Sequence, residues 1–174
     1  MKNYDWKSIA ELVGIVAIVA SLVFVGLQLK QSQEIAIADQ YQNRADAALE
    51  FYTAMTQNDE TIAYYANRMI DHIESGAAER SVVSIYEKEG AEQLAVSFLV
   101  FRSNITVFDN YQFQYENGFM TDDAWEPFRE RLKGLLSGGG NAAFYRGMRF
   151  GFRSSFRDVC DEVLVEVGAD QLNK

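Results

Sequence analysis

GIVAIVASLVFVGLQL, residues 14–29, is the stretch on which the fold turns. From Leu12 to Leu27, sixteen residues carry no charge, and Ser21 is the only polar side chain among them. Extended to Ile9 and Leu29, the segment has 21 residues, with Glu11 and Gln28 near its ends. As a helix it would be about 31 Å long, against roughly 30 Å for the hydrocarbon core of a bilayer. Glu11 is close enough to one end to reach the headgroup region. Tyr4 and Trp6 lie just outside, where aromatic rings favour the membrane interface. A buried helix of a soluble core is usually shorter. A cleavable signal is the other reading, since Lys2 and Lys7 precede the run and Ala36-Ile37-Ala38 has the small-x-small form of a cleavage site. However, the run exceeds the usual apolar length of about 7–15 residues, and Lys30 and Glu34 intervene before that site. The stretch reads as a retained single-pass anchor. This divides the chain into residues 1–30, a short tail and membrane helix, and residues 31–174, a soluble domain.

The expected fold is all-α, with the membrane helix continuing into a bundle of about four to five helices. Ile35, Ala38, Tyr41, Ala45, Ala48, Leu49 and Tyr52 recur at helical spacing, with no Gly or Pro between them and Leu29. TQNDET (56–61) breaks that pattern, and Asn58 or Asp59 is placed to cap a second helix ending near Gly76. A long third helix is expected from Ser81 or Ser84 to Asn117. Along it Leu94, Phe98, Phe101, Ile105 and Phe108 are spaced 4, 3, 4 and 3. Asn117-Gly118 closes it, and Thr121 with Asp122 and Asp123 opens the next, which carries Pro127 early. SGGGN (137–141) ends that helix. A last helical region follows, with a split expected at Ser154 or Ser155, where a capping serine precedes Phe156 and Asp158.

Three blocks carry a resemblance: the anchor with SLVFVGLQLKQS (21–32), the run FDNYQFQYENGFMTDDAWEPFRERLKGLL (108–136), and SSFRDV (154–159). Together they resemble a widespread family of uncharacterised bacterial proteins with one N-terminal transmembrane helix and a small helical domain. The resemblance implies a bacterial cytoplasmic (inner) membrane location. It implies no catalytic residue.

The residues offer no convergent chemistry, so no catalytic, cofactor or metal residue is assigned and no activity is legible. His72 is the only histidine and Cys160 the only cysteine, which excludes an internal disulfide and a paired-histidine metal centre. Gly138–Gly140 lacks the Lys-Ser/Thr of a phosphate loop. Positive flanks of the span nearly balance, leaving both membrane orientations open. Charge is more informative. Residues 34–126 hold 17 acidic and 5 basic groups, a net of −12, whereas residues 127–157 hold 7 basic and 1 acidic, a net of +6. A chain of net charge −9 is not built for nucleic acid.

Two candidate contact sets follow. Arg146, Arg149, Arg153 and Arg157, spaced 3, 4 and 4, would form one stripe on a continuous helix. They would meet anionic lipid or an acidic partner, or the acidic segment of the same chain. Ala10, Gly14, Ala17 and Ser21, continuing to Gln28, form a strip of small residues that permits close approach of a second membrane helix. The expected function is a membrane-anchored accessory or interaction protein, docked on a larger integral membrane complex or forming homo-oligomers through its helix. The alternative is a membrane-tethered enzyme, or a small-molecule or lipid-binding module with a pocket inside the helical domain.

Overall fold

A computed structural model describes residues 6–170; Lys2 and Tyr4 lie outside the described residues. Every regular element among them is helical. The order is α1 (Trp6–Thr56), α2 (Asp59–Glu74), α3 (Arg80–Glu89), α4 (Ala91–Glu116), α5 (Asp122–Ser137), α6 (Gly139–Met148), a 3₁₀ turn (Arg149–Gly151) and α7 (Ser154–Glu166). Seven α-helices replace the expected four to five. The difference arises at two joints, Gly90 and the 3₁₀ turn Arg149–Gly151.

At the first joint, the expected third helix is two. Gly90 adopts φ +85°, ψ 171°, a region open in practice only to glycine, and it separates α3 from α4. In the sequence this glycine is flanked by helix formers, EKEGAEQL (87–94), so apolar spacing ran on across it. At SGGGN, as expected, α5 ends at Ser137 and α6 begins at Gly139. The C-terminal region divides at the 3₁₀ turn into α6 and α7, which begins at Ser154, one of the two positions where a split was expected.

Other boundaries match local chemistry. The Asn58 side chain accepts the Thr61 N–H at 2.8 Å, satisfying an otherwise unpaired donor at the start of α2. At the end of α4, Gly118 (φ +77°) donates its N–H to Tyr115 O at 3.0 Å, while Phe119 N–H reaches Gln114 O at 2.9 Å. These two bonds are the Schellman closure. Asp122 and Asp123 occupy the first turn of α5, although Thr121 makes no side-chain cap bond. Pro127 lies inside α5 without breaking it.

The chain divides into two units, Met1–Gln40 and Tyr41–Lys174. In the first, one uninterrupted helix carries the apolar run. It is long and apolar enough to cross a membrane, and none of the 18 residues in its most apolar window is buried. A core helix of a soluble protein would be mostly covered.

In the second unit α4 is central, packed by α2, α3, α5, α6 and α7. Leu94, Phe101 and Ile105 from the expected apolar stripe are fully buried, and Phe98 and Phe108 pack against them. Leu99 of α4, Leu132 and Leu136 of α5, Tyr145 of α6, and Phe156, Cys160 and Val163 of α7 are the other large side chains that are fully buried. Each large aliphatic or aromatic side chain removed from water contributes about 1.5–3 kcal/mol. Gly140 and Gly139 face α3: a Cβ at Gly140 would press on Ile85 Cδ1 and turn that side chain aside, and one at Gly139 would stand 3.3 Å from Ser81 Cβ. The glycine run is thus a packing device as well as a connector.

Candidate functional site

The four arginines do not share one helix. Arg146 is on α6, Arg149 in the 3₁₀ turn, Arg153 at the N-cap of α7 and Arg157 within α7. The stripe is therefore split, because the chain leaves helical geometry between Met148 and Ser154. Three of the four are drawn inward by carboxylates of the same unit.

Arg153 is the most heavily committed. Its Nε donates to Tyr41 Oη at 2.8 Å and to Asp109 Oδ1 at 3.1 Å. One terminal nitrogen donates to Glu116 Oε2 (2.8 Å) and to Ser155 Oγ (3.0 Å), and the other to Gln112 Oε1 (2.6 Å) and Asp109 O (3.1 Å). The Tyr41 and Phe113 rings stack on each other with centroids 4.0 Å apart, and the guanidinium carbon lies 5.2 and 5.1 Å from them. Tyr41 donates its own proton to Asp109 Oδ2 at 2.5 Å. Burial, then the bond to Asp109, pushes the Tyr41 hydroxyl up to about 12. Burial acts to raise Glu116, but bonds from Arg153 and Ser155 outweigh it and hold the carboxyl below its ordinary value. Ser155 Oγ donates to Glu116 Oε2 at 2.9 Å, so it serves this cluster and not the helix cap expected of it.

Arg149 forms a forked pair with Asp161 across the 3₁₀ turn, with Nε 3.0 Å from both carboxylate oxygens. That bond raises the arginine above its ordinary value and lowers the aspartate. The buried Tyr145 hydroxyl reaches Asp161 Oδ1 (3.0 Å) and Arg157 O (3.2 Å), joining α6 to α7 from beneath. Arg146 donates to Glu79 through Nε (2.8 Å) and a terminal nitrogen (2.5 Å), and to Ala169 O. Both side chains of this pair are only 15% exposed. Arg157 makes no ion pair among the described residues. Its guanidinium carbon lies 5.9 Å from the ring of Phe150, which is itself 82% exposed.

Tyr41, Asp109, Gln112 and Phe113 were not singled out from sequence. A signal existed: Asp109, Gln112, Phe113 and Glu116 fall at i, i+3, i+4 and i+7, one face of α4. A polar row at core-facing spacing requires an internal counter-charge.

In the first unit, Ala10, Gly14, Ala17, Ser21 and Gln28 are all exposed. A Cβ at Gly14 would meet nothing within 4 Å. Ser21 donates to Ala17 O at 2.8 Å, so its hydroxyl is satisfied within the helix. Among the described residues no three His, Cys, Asp or Glu side chains converge as a metal-ligand set. Cys160 is buried, and burial raises its thiol well above the ordinary value, which makes it inert. A cavity of about 400 Å³ opens between α2, α3, α4 and α6, beside the Arg146–Glu79 pair. Compared with protein-family models, curated proteins and solved structures, the chain has no match.

Proposed function

We propose that this protein is a single-pass accessory or interaction protein of a bacterial cytoplasmic membrane, whose helical domain docks on a larger integral membrane complex. The observation that carries the reading is the uncovered apolar length of α1. Apolar surface on that scale is stable only against lipid or another apolar chain. The second unit has its own core and satisfied arginine clusters, as expected of a rigid docking module. Within this reading the small-residue strip of Ala10, Gly14, Ala17, Ser21 and Gln28 meets a neighbouring membrane helix, either a partner subunit or a second copy. Arg157 and Phe150 provide the domain's outward contact, since Arg146, Arg149 and Arg153 are occupied internally. Anionic lipid or an acidic partner surface suits that pair.

The test is alkaline extraction of native membranes, followed by mapping of the N-terminus of the retained protein. Full-length protein in the washed pellet supports the anchor. A soluble species starting near Asp39 would replace it with a cleaved signal.

A further inference from the structure

We infer that the cavity between α2, α3, α4 and α6 is a binding site for a small amphiphile with one carboxylate on an apolar body. The cavity holds about 400 Å³, within the range of ligand pockets. Its wall is apolar, built largely from Met69, Phe98, Phe144 and Met148, with charge confined to Arg146 and Glu79. A mainly apolar wall with a few convergent polar groups is the composition that orients amphipathic ligands. The two methionines are unbranched and polarisable, able to follow the shape of a flexible chain.

The polar end selects the headgroup. A guanidinium carries five N–H donors. Nε–H and one terminal N–H go to Glu79, and a third goes to Ala169 O. Two N–H groups of Arg146 have no acceptor among the described residues, and Arg146 lines the cavity. Glu79 fixes the guanidinium in place while partly neutralising it. A carboxylate accepts two such donors in the fork geometry that suits arginine. An ammonium head would have to compete with Arg146 for the Glu79 carboxylate, which already accepts two of its N–H groups, and a neutral alcohol would gain less from the two free donors. His72, exposed at the end of α2, also lines the cavity.

Gly147 provides the test. It lines the mouth, and an added Cβ meets nothing within 4 Å. Gly147→Leu should therefore plug the cavity without overpacking, and it replaces a poor helix former. Full-length protein in phosphatidylcholine nanodiscs is titrated with carboxyl-¹³C decanoate and read by the carboxyl resonance, with empty nanodiscs subtracted. The inference expects saturable binding, at least tenfold weakened by Gly147→Leu at unchanged thermal stability. It also expects 1-decanol to compete at least tenfold less well than unlabelled decanoate. Arg146→Lys, which keeps the charge but loses the fork, should weaken decanoate while leaving decanol unchanged. Binding no greater than in empty nanodiscs, or equal in the wild type and Gly147→Leu, overturns it. Equal competition by decanol overturns the assigned headgroup. None of these outcomes depends on whether the domain docks on a membrane complex.

Discussion

Replacing Arg153 with Met should destabilise the domain by about 3 kcal/mol, between the roughly 3–5 kcal/mol of a broken buried ion pair and the roughly 0–1 kcal/mol of an exposed one. The side-chain exposures place it there. Arg153 keeps 26% and Asp109 15%, near the buried limit, whereas Glu116 keeps 41%. Methionine preserves an apolar stem beside Tyr41 and Phe113 but leaves Asp109 and Glu116 without their shared cation. For a domain of this size the loss corresponds to a drop of roughly 10 °C in Tm. Trp125 is buried on α5, so its fluorescence in a Trp6→Phe background reports unfolding of the domain without signal from the start of α1. The difference should depend on pH. Glu116 has a folded value depressed below its unfolded one, so its contribution is present above the unfolded value and lost as pH falls through the folded value. The gap between wild type and variant should narrow from about pH 5 downwards, as the carboxyl that needed the cation takes up a proton. Asp109→Asn should couple to Arg153→Met by more than about 0.5 kcal/mol in a double-mutant cycle. A single-variant loss below about 0.5 kcal/mol at pH 7, the level of an ordinary surface change, would refute the assignment of Arg153 as the organising cation.

Three further outcomes follow from other parts of the molecule. Gly140→Ala should change stability by less than about 1 kcal/mol, because turning the half-buried end of Ile85 aside offsets the gain in helix propensity, and in an Ile85→Ala background the same change should be stabilising; chemical denaturation of the single and double variants measures both. Cys160 should resist maleimide in the folded protein and react at least a hundredfold faster in denaturant, and rapid labelling of the native state would contradict its burial. On the proposed function, Gly14→Leu with Ala17→Leu should abolish crosslinking of α1 to a neighbouring membrane helix while leaving membrane retention intact; unchanged crosslinking would leave α1 only a tether.

Much of the helical layout was legible because it rests on local chemistry. Asn58 announced the start of α2, Gly118 the end of α4 and SGGGN the junction of α5 and α6. Gly90 was missed because the residues around it are good helix formers and the apolar spacing continues on both sides. Only the backbone conformation shows that this position is non-helical. The arginine spacing was real, but its meaning depended on the turn at Arg149–Gly151 and on carboxylates far away in sequence. Pairing of Arg146 with Glu79, 67 residues apart, leaves no local trace. The cavity was illegible for a related reason: Met69, Phe98 and Phe144 read as ordinary core, and a void is set by the arrangement of several helices.

The arginine clusters also bear on how the chain is made. Glu79, Asp109 and Glu116 precede the arginines that neutralise them by 67, 44 and 37 residues, and Tyr41 precedes Arg153 by 112. At synthesis rates of about 5–20 residues per second, Tyr41 waits on the order of ten seconds for its partner to be translated. Throughout that interval the emerging chain is strongly acidic and self-repelling, which keeps it extended and discourages premature collapse. Two arginines run the other way: Asp161 follows Arg149 by 12 residues, closing a short loop at small entropic cost, and Glu166 follows Arg129 by 37. Translation thus releases the counter-charges last, and the final basic segment locks an acidic framework that has been held open until then.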